Sequence, residues 1–357
     1  FMPLAGFDSE TDGFFAGLME EQVENLMPIY EYGKLVTIEN EDEIRKDEYI
    51  YEDSLESKYA GEEIANDNTQ ANMSEGIGIE ELLAYENSAS DIGQGFVPHE
   101  AMQEIDLSAL SDYETLVQSF YTIDSNTAAG SSLLNVEEFL GRDMTIAQNT
   151  DGPQILIYHT HSQEGFADSI AGDDSTTIMG VGERLAVILT ERYGYNVMHH
   201  NGKYDVETRD EAYSRALPEV EQILEDNPTI EVVIDLHRDE MAEETRLVSE
   251  IDGRPTARFM FFNGLSYTKK TGSISYLYNE NLEDNLAFSF KMQLAAETYY
   301  PGLARKIYLK GYRYNMHLMP KTLLIELGAQ NNTVEEAMNA CDIIAQLLDL
   351  VLSGEVG

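Results

Sequence analysis

Residues 153–164 read PQILIYHTHSQE, and this stretch decides the fold. Residues 154–159 read as a strand behind a proline, and its short continuous apolar run, 155–158, is the pattern of burial on both faces. The run then breaks into His159, Thr160, His161, Ser162, Gln163 and Glu164, so the strand delivers polar chemistry at its carboxyl end. Two later runs repeat the arrangement. Residues 230–236 close in His237-Arg238-Asp239, and residues 322–327 carry Glu326 near their end.

Between these runs the period lengthens to that of helices. Val181, Leu185, Ile188 and Leu189 share one face of a helix over 181–193, which Gly194 stops. Ala212, Tyr213, Ala216, Val220, Ile223 and Leu224 mark another, and further helices are predicted over 286–299 and 334–352. Shorter strands are predicted at 196–199, 258–263 and 306–309. Strands alternating with helices predict an α/β fold over 153–357, with a mainly parallel twisted sheet covered by helices on both faces.

Upstream, Leu110, Tyr113, Leu116, Val117, Phe120 and Tyr121 give one helical stripe, and a second short helix is predicted at 135–140. Residues 105–152 therefore read as a helical lead-in packed on the domain that follows. Residues 1–104 read as an acidic N-terminal arm or linker. Of the 66 acids, 25 fall in residues 1–100, against 4 of the 22 bases. Apolar residues over 39–94 are too scattered to offset the cost of ordering backbone, about 1–2 kcal/mol per residue. Phe14, Leu18, Val23 and Leu26 suggest one short amphipathic helix before it.

The formal charge of the 357-residue chain is −44, which repels phosphate backbones and excludes nucleic acid as a partner. The single cysteine, Cys341, permits neither an internal disulfide nor a cysteine zinc cluster, and its apolar neighbours make it a core residue. Any metal must be held by carboxylates and by the seven histidines. No run approaches the roughly 18 apolar residues of a membrane span. A chain that starts at Phe1 is expected to follow a signal or an anchor.

Ligands of open α/β sheets gather at the carboxyl ends of strands. There, His161-x-x-Glu164 and His237 offer two imidazoles and a carboxylate, a catalytic zinc set whose fourth position is left to water. Zinc lowers the pKa of that water to about 7 and polarises a carbonyl. Glu326, on an otherwise apolar strand, is the expected proton carrier. His159 rivals His161 as ligand, and Glu183, which opens the next helix, rivals Glu164, although an acid is also favoured in any first helical turn. Replacing His237 with alanine is expected to abolish hydrolysis and leave folding largely intact. Arg238 either binds a substrate carboxylate or oxyanion or pairs with Asp239 to stiffen the loop. Asn315 and His317, in the run from Tyr312, suit a sugar- or peptide-like ligand, though burial against the sheet accounts for the tyrosines equally well. His199 and His200 close an edge-like strand and are expected to be partly exposed. Gly180-x-Gly182 lacks the third glycine of a dinucleotide loop, and no GxSxG turn occurs.

These same residues carry a resemblance. Residues 153–164, Val181-Gly-Glu-Arg-Leu185, Tyr193-Gly-Tyr-Asn-Val197, Ile234-Asp-Leu-His-Arg-Asp239, Tyr300-Pro-Gly-Leu303, Arg313-Tyr-Asn-Met-His317, Leu324-Ile-Glu-Leu-Gly328 and 332–337 stand in the order of the stage II sporulation protein P family. With Phe120-Tyr-Thr-Ile-Asp124 the resemblance spans roughly residues 110–353 and leaves 1–100 uncovered. The family pattern has Gln where Met316 stands. The resemblance implies a zinc-dependent peptidoglycan hydrolase related to N-acetylmuramoyl-L-alanine amidases, cleaving the muramoyl–L-alanine amide and also stem-peptide cross-links during engulfment in sporulation. It implies metal ligation by His161 or His159 and by His237, and catalysis by Glu326. It further implies an extracytoplasmic, membrane-anchored protein between mother cell and forespore. Its partners there would be the lytic transglycosylase stage II sporulation protein D and a recruiting membrane protein.

Two other functions compete with this expectation. A zinc carboxypeptidase shares the HxxE, later His and later Glu layout. A non-enzymatic acidic wall scaffold would use its histidines structurally or its acids for Ca²⁺.

Overall fold

A computed structural model of the chain describes residues 96–148 and 150–356. The acidic arm up to residue 95 and the short helix expected at Phe14–Leu26 lie outside the described residues. In chain order the helices are α1 (Leu107–Leu110), α2 (Tyr113–Phe120), α3 (Val136–Gly141), α4 (Ile178–Glu191), α5 (Ala212–Asp226), α6 (Leu282–Tyr299) and α7 (Val334–Leu352). The strands are β1 (Tyr121–Ile123), β2 (Ile155–Tyr158), β3 (Val197–His199), β4 (Val232–Asp239), β5 (Val248–Ile251), β6 (Arg254–Ala257), β7 (Phe259–Gly264), β8 (Tyr267–Thr268), β9 (Gly272–Ser273), β10 (Ala304–Lys310) and β11 (Thr322–Ala329).

The main sheet has seven strands in the order β1-β10-β7-β11-β4-β2-β3. Neighbouring strands are parallel except β7 and β11, which are antiparallel, so the sheet is mixed rather than uniformly wound. The reason lies in the connection. Parallel neighbours need a crossover that returns the chain to the starting edge. Between β4 and β7 there is no helix, only the β5–β6 hairpin, so β7 starts at the edge where β4 ends and runs back. A second difference is at Tyr121, expected on a helix: α2 ends at Phe120, and Tyr121 pairs with Ile307 as the first residue of β1.

Side-chain alternation divides the core between the two faces of the sheet. Ile155, Ile157, Val232, Ile234 and Leu236 join buried residues of α4, α6 and α7. Leu156, Tyr158 and Val233 join Ala212, Ala216 and Val220 of α5 on the other face. Phe290 of α6 meets Phe120 and Phe139, each at 5.4 Å between ring centroids, which ties α2 and α3 into the first core. A capping box between Thr333 and Glu336 starts α7 directly after β11. By the same alternation Asp235 and His237 follow Val233 onto the α5 face. Leu323, Ile325 and Leu327 occupy the opposite core, so Glu326 faces α5 as well.

Candidate metal centre

β2 and β4 are parallel neighbours with Tyr158 beside Asp235, so the residues that follow arrive together. His161 and Glu164 sit in an irregular loop with a turn at Ser162-Gln163, whereas His237 is still within β4. One donor atom from each of these three residues lies within 4.8 Å of the other two. His161 Nδ1 is 3.5 Å from Glu164 Oε1, and His237 Nδ1 is 3.6 Å from Oε2. The two imidazoles cross edge to face at 5.0 Å.

Glu164 is 1% exposed, and burial alone pushes its carboxyl up. Contact with His161 and His237 outweighs that and holds it well below the usual carboxylate range. The Arg209 guanidinium donates to Oε1 at 2.8 Å, and the backbone N–H of Arg238 donates to Oε2 at 2.8 Å. Burial drives the His161 imidazole down, toward the neutral form a metal requires. His237 is also pushed down by burial, but Asp235 and Glu164 on either side of it raise it well above the ordinary histidine value.

Asp235 links the two ligand-bearing segments. It accepts from the Thr160 N–H at 2.9 Å and hydroxyl at 2.7 Å, and its Oδ1 lies 2.8 Å from His237 Nε2. A carboxylate at Nε2 favours the proton there and turns Nδ1 toward Glu164. Tyr213, 7% exposed at the start of α5, walls the cluster. Its ring lies 5.6 Å from His161 and is stacked near His237 at 6.3 Å.

The donor set fits zinc. Two imidazole nitrogens and one carboxylate oxygen converge in a buried site, the composition of three-ligand catalytic zinc sites, whereas Ca²⁺ and Mg²⁺ prefer oxygen shells. Glu326, 4% exposed, is the register partner of His237 on the neighbouring strand.

The remaining sequence candidates fall into two groups. His159 and Glu183 are both brought to His199 rather than to the three-donor cluster. His159 is fully buried, with Nδ1 2.7 Å from the Leu236 carbonyl and Nε2 2.9 Å from His199 Nε2, and Glu183 contacts His199 Nδ1 at 2.8 Å. His199 and His200 are both half-buried, as expected of this strand end, although the His199 imidazole itself is only 5% exposed. The Arg238 guanidinium turns onto the carbonyls of Gly165 and Asp239, at 3.0 and 3.3 Å. The Asp239 carboxylate pairs with Arg305 at 2.6 Å. Asn315 donates to the Tyr213 carbonyl at 2.9 Å, which brings its loop against the wall of the centre. His317 lies in the same loop, with burial pushing its imidazole down to about 4. Met316 is buried, with the Gly264 N–H 3.3 Å from its sulfur.

Arg209, Asp235 and Tyr213 contribute to the site and were given no role in the sequence reading. Tyr213 has the spacing of an ordinary core position, and Arg209 opens the short helical turn Arg209–Glu211 with no signature. Only Asp235, two residues before His237 on a buried strand, carried a signal, being an acid inside an apolar run.

A sequence model of the family described as Stage II sporulation protein P (SpoIIP) matches residues 7–349. A curated Stage II sporulation protein P of Bacillus subtilis (strain 168) is 24% identical over 215 residues, covering 55% of this chain and 50% of that protein. The matched region thus spans about half the length of this relative. Among solved structures, the CwlD amidase from Clostridioides difficile, in complex with the GerS lipoprotein, is similar over 56% of this chain and 94% of its own, at 14% identity and a TM-score of 0.32. The N-acetylmuramoyl-L-alanine amidase AmiC2 of Nostoc punctiforme gives 56% and 97% coverage, 13% identity and a TM-score of 0.31.

Proposed function

The chain belongs to the stage II sporulation protein P family, and from that premise we propose that it is a zinc-dependent hydrolase of peptidoglycan, cleaving the amide between N-acetylmuramic acid and L-alanine. The observation that carries this reading is the convergence of His161, Glu164 and His237 beside a buried carboxylate, Glu326, that stands in register with one of them.

His161, Glu164 and His237 are the residues that would hold the ion. When bound, zinc supplies Lewis acidity, polarising the amide carbonyl and acidifying water. The Glu326 carboxylate accepts a proton from the attacking water and returns it to the leaving nitrogen, because an amine leaves far more readily when protonated. Arg209 and the Arg238 N–H fix both oxygens of Glu164, and Asp235 fixes His237, so the donors are oriented before any ligand arrives. Tyr213 shields one side of the imidazoles from water.

Among the described residues no helix is long and apolar enough to cross a membrane. The extracytoplasmic setting, cleavage of peptide cross-links, and cooperation with a sporulation lytic transglycosylase and a recruiting membrane protein are part of the same proposal. They rest on family membership.

Digestion of purified sacculi followed by mass spectrometry tests the reaction. An amidase releases whole stem peptides with a free L-alanine amino terminus. Release of single terminal amino acids would instead establish a carboxypeptidase, and absence of any zinc-dependent product would remove the enzyme reading.

A further inference from the structure

The two loop-borne donors, His161 and Glu164, belong to no helix or strand. Their relative placement therefore depends on what fixes the Ser162-Gln163 turn between them. That turn is held from a separate part of the chain. Asp205, in the connection between β3 and α5 and 9% exposed, accepts three hydrogen bonds from it. The Ser162 N–H and hydroxyl donate to Oδ1 at 3.1 and 2.7 Å, and the Gln163 N–H donates to Oδ2 at 3.1 Å. On the other side of His161, Asp235 accepts from both Thr160 groups, so the histidine sits between two anchored points. Arg209, four residues after Asp205, holds Glu164 Oε1 from the same connection.

We propose that Asp205 is a positioning residue for the metal centre, whose carboxylate, bound to the Ser162-Gln163 turn, sets the distance and angle between the His161 and Glu164 donors. The assignment rests on the metal-dependent reading above and extends it to a residue that touches neither ion nor substrate. A carboxylate is required because the turn presents three donors to two oxygens. An asparagine in this place keeps one accepting oxygen and turns an NH₂ group toward one of the donors. Hydrogen bonds to a charged acceptor are also roughly twice as strong as neutral ones, which suits a turn that lies outside any helix or strand and whose far end is held by the Ile178 N–H on the Glu164 carbonyl at 2.9 Å.

The test measures zinc affinity of the full chain by competition with a chromophoric chelator, together with the visible spectrum of the Co²⁺-loaded protein, which reports coordination geometry without turnover. Asp205→Ala is expected to weaken zinc about 10–100-fold, the loss typical when an outer partner of a ligand is removed. Its cobalt bands are expected to lose intensity as the site opens. Asp205→Asn is expected to fall between alanine and wild type. Val206→Ala, an exposed neighbour in the same connection, is expected to match wild type. Wild-type affinity and an unchanged spectrum in Asp205→Ala would overturn the assignment, as would equal weakening in Val206→Ala. If the alanine variant does not fold, a folded Asp205→Asn protein with undiminished affinity overturns it equally. Failure of the wild type to bind zinc removes the metal reading itself, a different result from a wild type that binds and a variant that binds as well.

Discussion

Glu326 and His237 are register partners on adjacent parallel strands, and both side chains lie on the α5 face of the sheet, 4% and 2% exposed. Neighbouring strands stand about 4.8 Å apart. The carboxylate is thus held beside the donor cluster without belonging to it, and its position is set by sheet register rather than by a mobile loop. The proton-carrier role proposed for it is therefore separable from metal binding by substitution.

Glu326→Gln is expected to keep its zinc and lose about 10²–10⁴-fold in kcat, the usual contribution of general acid–base catalysis. Metal content by atomic spectroscopy, measured alongside digestion of sacculi, checks both halves. Near-normal turnover would show that Glu326 does not carry the proton.

His237→Ala is expected to cost stability as well as zinc, contrary to the simple expectation that the fold stays intact. His237 lies between the buried carboxylates of Asp235 and Glu164, at 2.8 and 3.6 Å. Removing one partner of a buried pair leaves charge uncompensated, at a cost of about 3–5 kcal/mol. Urea unfolding of the metal-free protein measures it, and an unchanged midpoint would contradict the buried arrangement.

Gly182→Ala is expected to destabilise the protein by about 1–3 kcal/mol through overpacking, although alanine is the better helix former. A Cβ there would lie 2.5 Å from His159 Nε2 and 2.8 Å from His199 Nε2. Gly141→Ala meets nothing within 4 Å and serves as the control, with no loss of thermal midpoint expected.

Acid is expected to weaken the metal-free fold before its carboxylates titrate. Burial pushes His159 down to about 3 from 6.5, so between those values the unfolded chain binds a proton that the folded chain refuses. The neutral residue's contribution is complete above pH 6.5 and is lost as pH falls toward 3, on the order of 4 kcal/mol at most. Urea midpoints measured from pH 7 to pH 4 should decline, and the decline should be shallower in His159→Gln. Equal slopes in the two proteins would refute the assignment to His159.

The strands that build the centre were legible because each is a buried apolar run ending in polar residues: Ile155–Tyr158, Val232–Asp239 and Thr322–Ala329. The α7 boundaries were legible from the helical period alone, to which the structure adds the Thr333–Glu336 capping box. The direction of β7 was not, since apolar content is the same for either orientation and the Asp252-Gly253 turn that joins β5 to β6, with both residues at positive φ, was not singled out in the sequence. HxxE spacing brought His161 and Glu164 forward, and the separate strand end brought His237. Asp205 and Arg209 stayed hidden because their role depends on a loop folding back across the sheet, a relationship that local sequence does not encode.

β11 lies in the middle of the sheet, hydrogen-bonded to β4 on one side and β7 on the other. A nascent polypeptide halted before this segment lacks Glu326 and also lacks the seam joining the two halves of the sheet. A chain ending before β11 therefore holds neither the proposed proton carrier nor a continuous sheet.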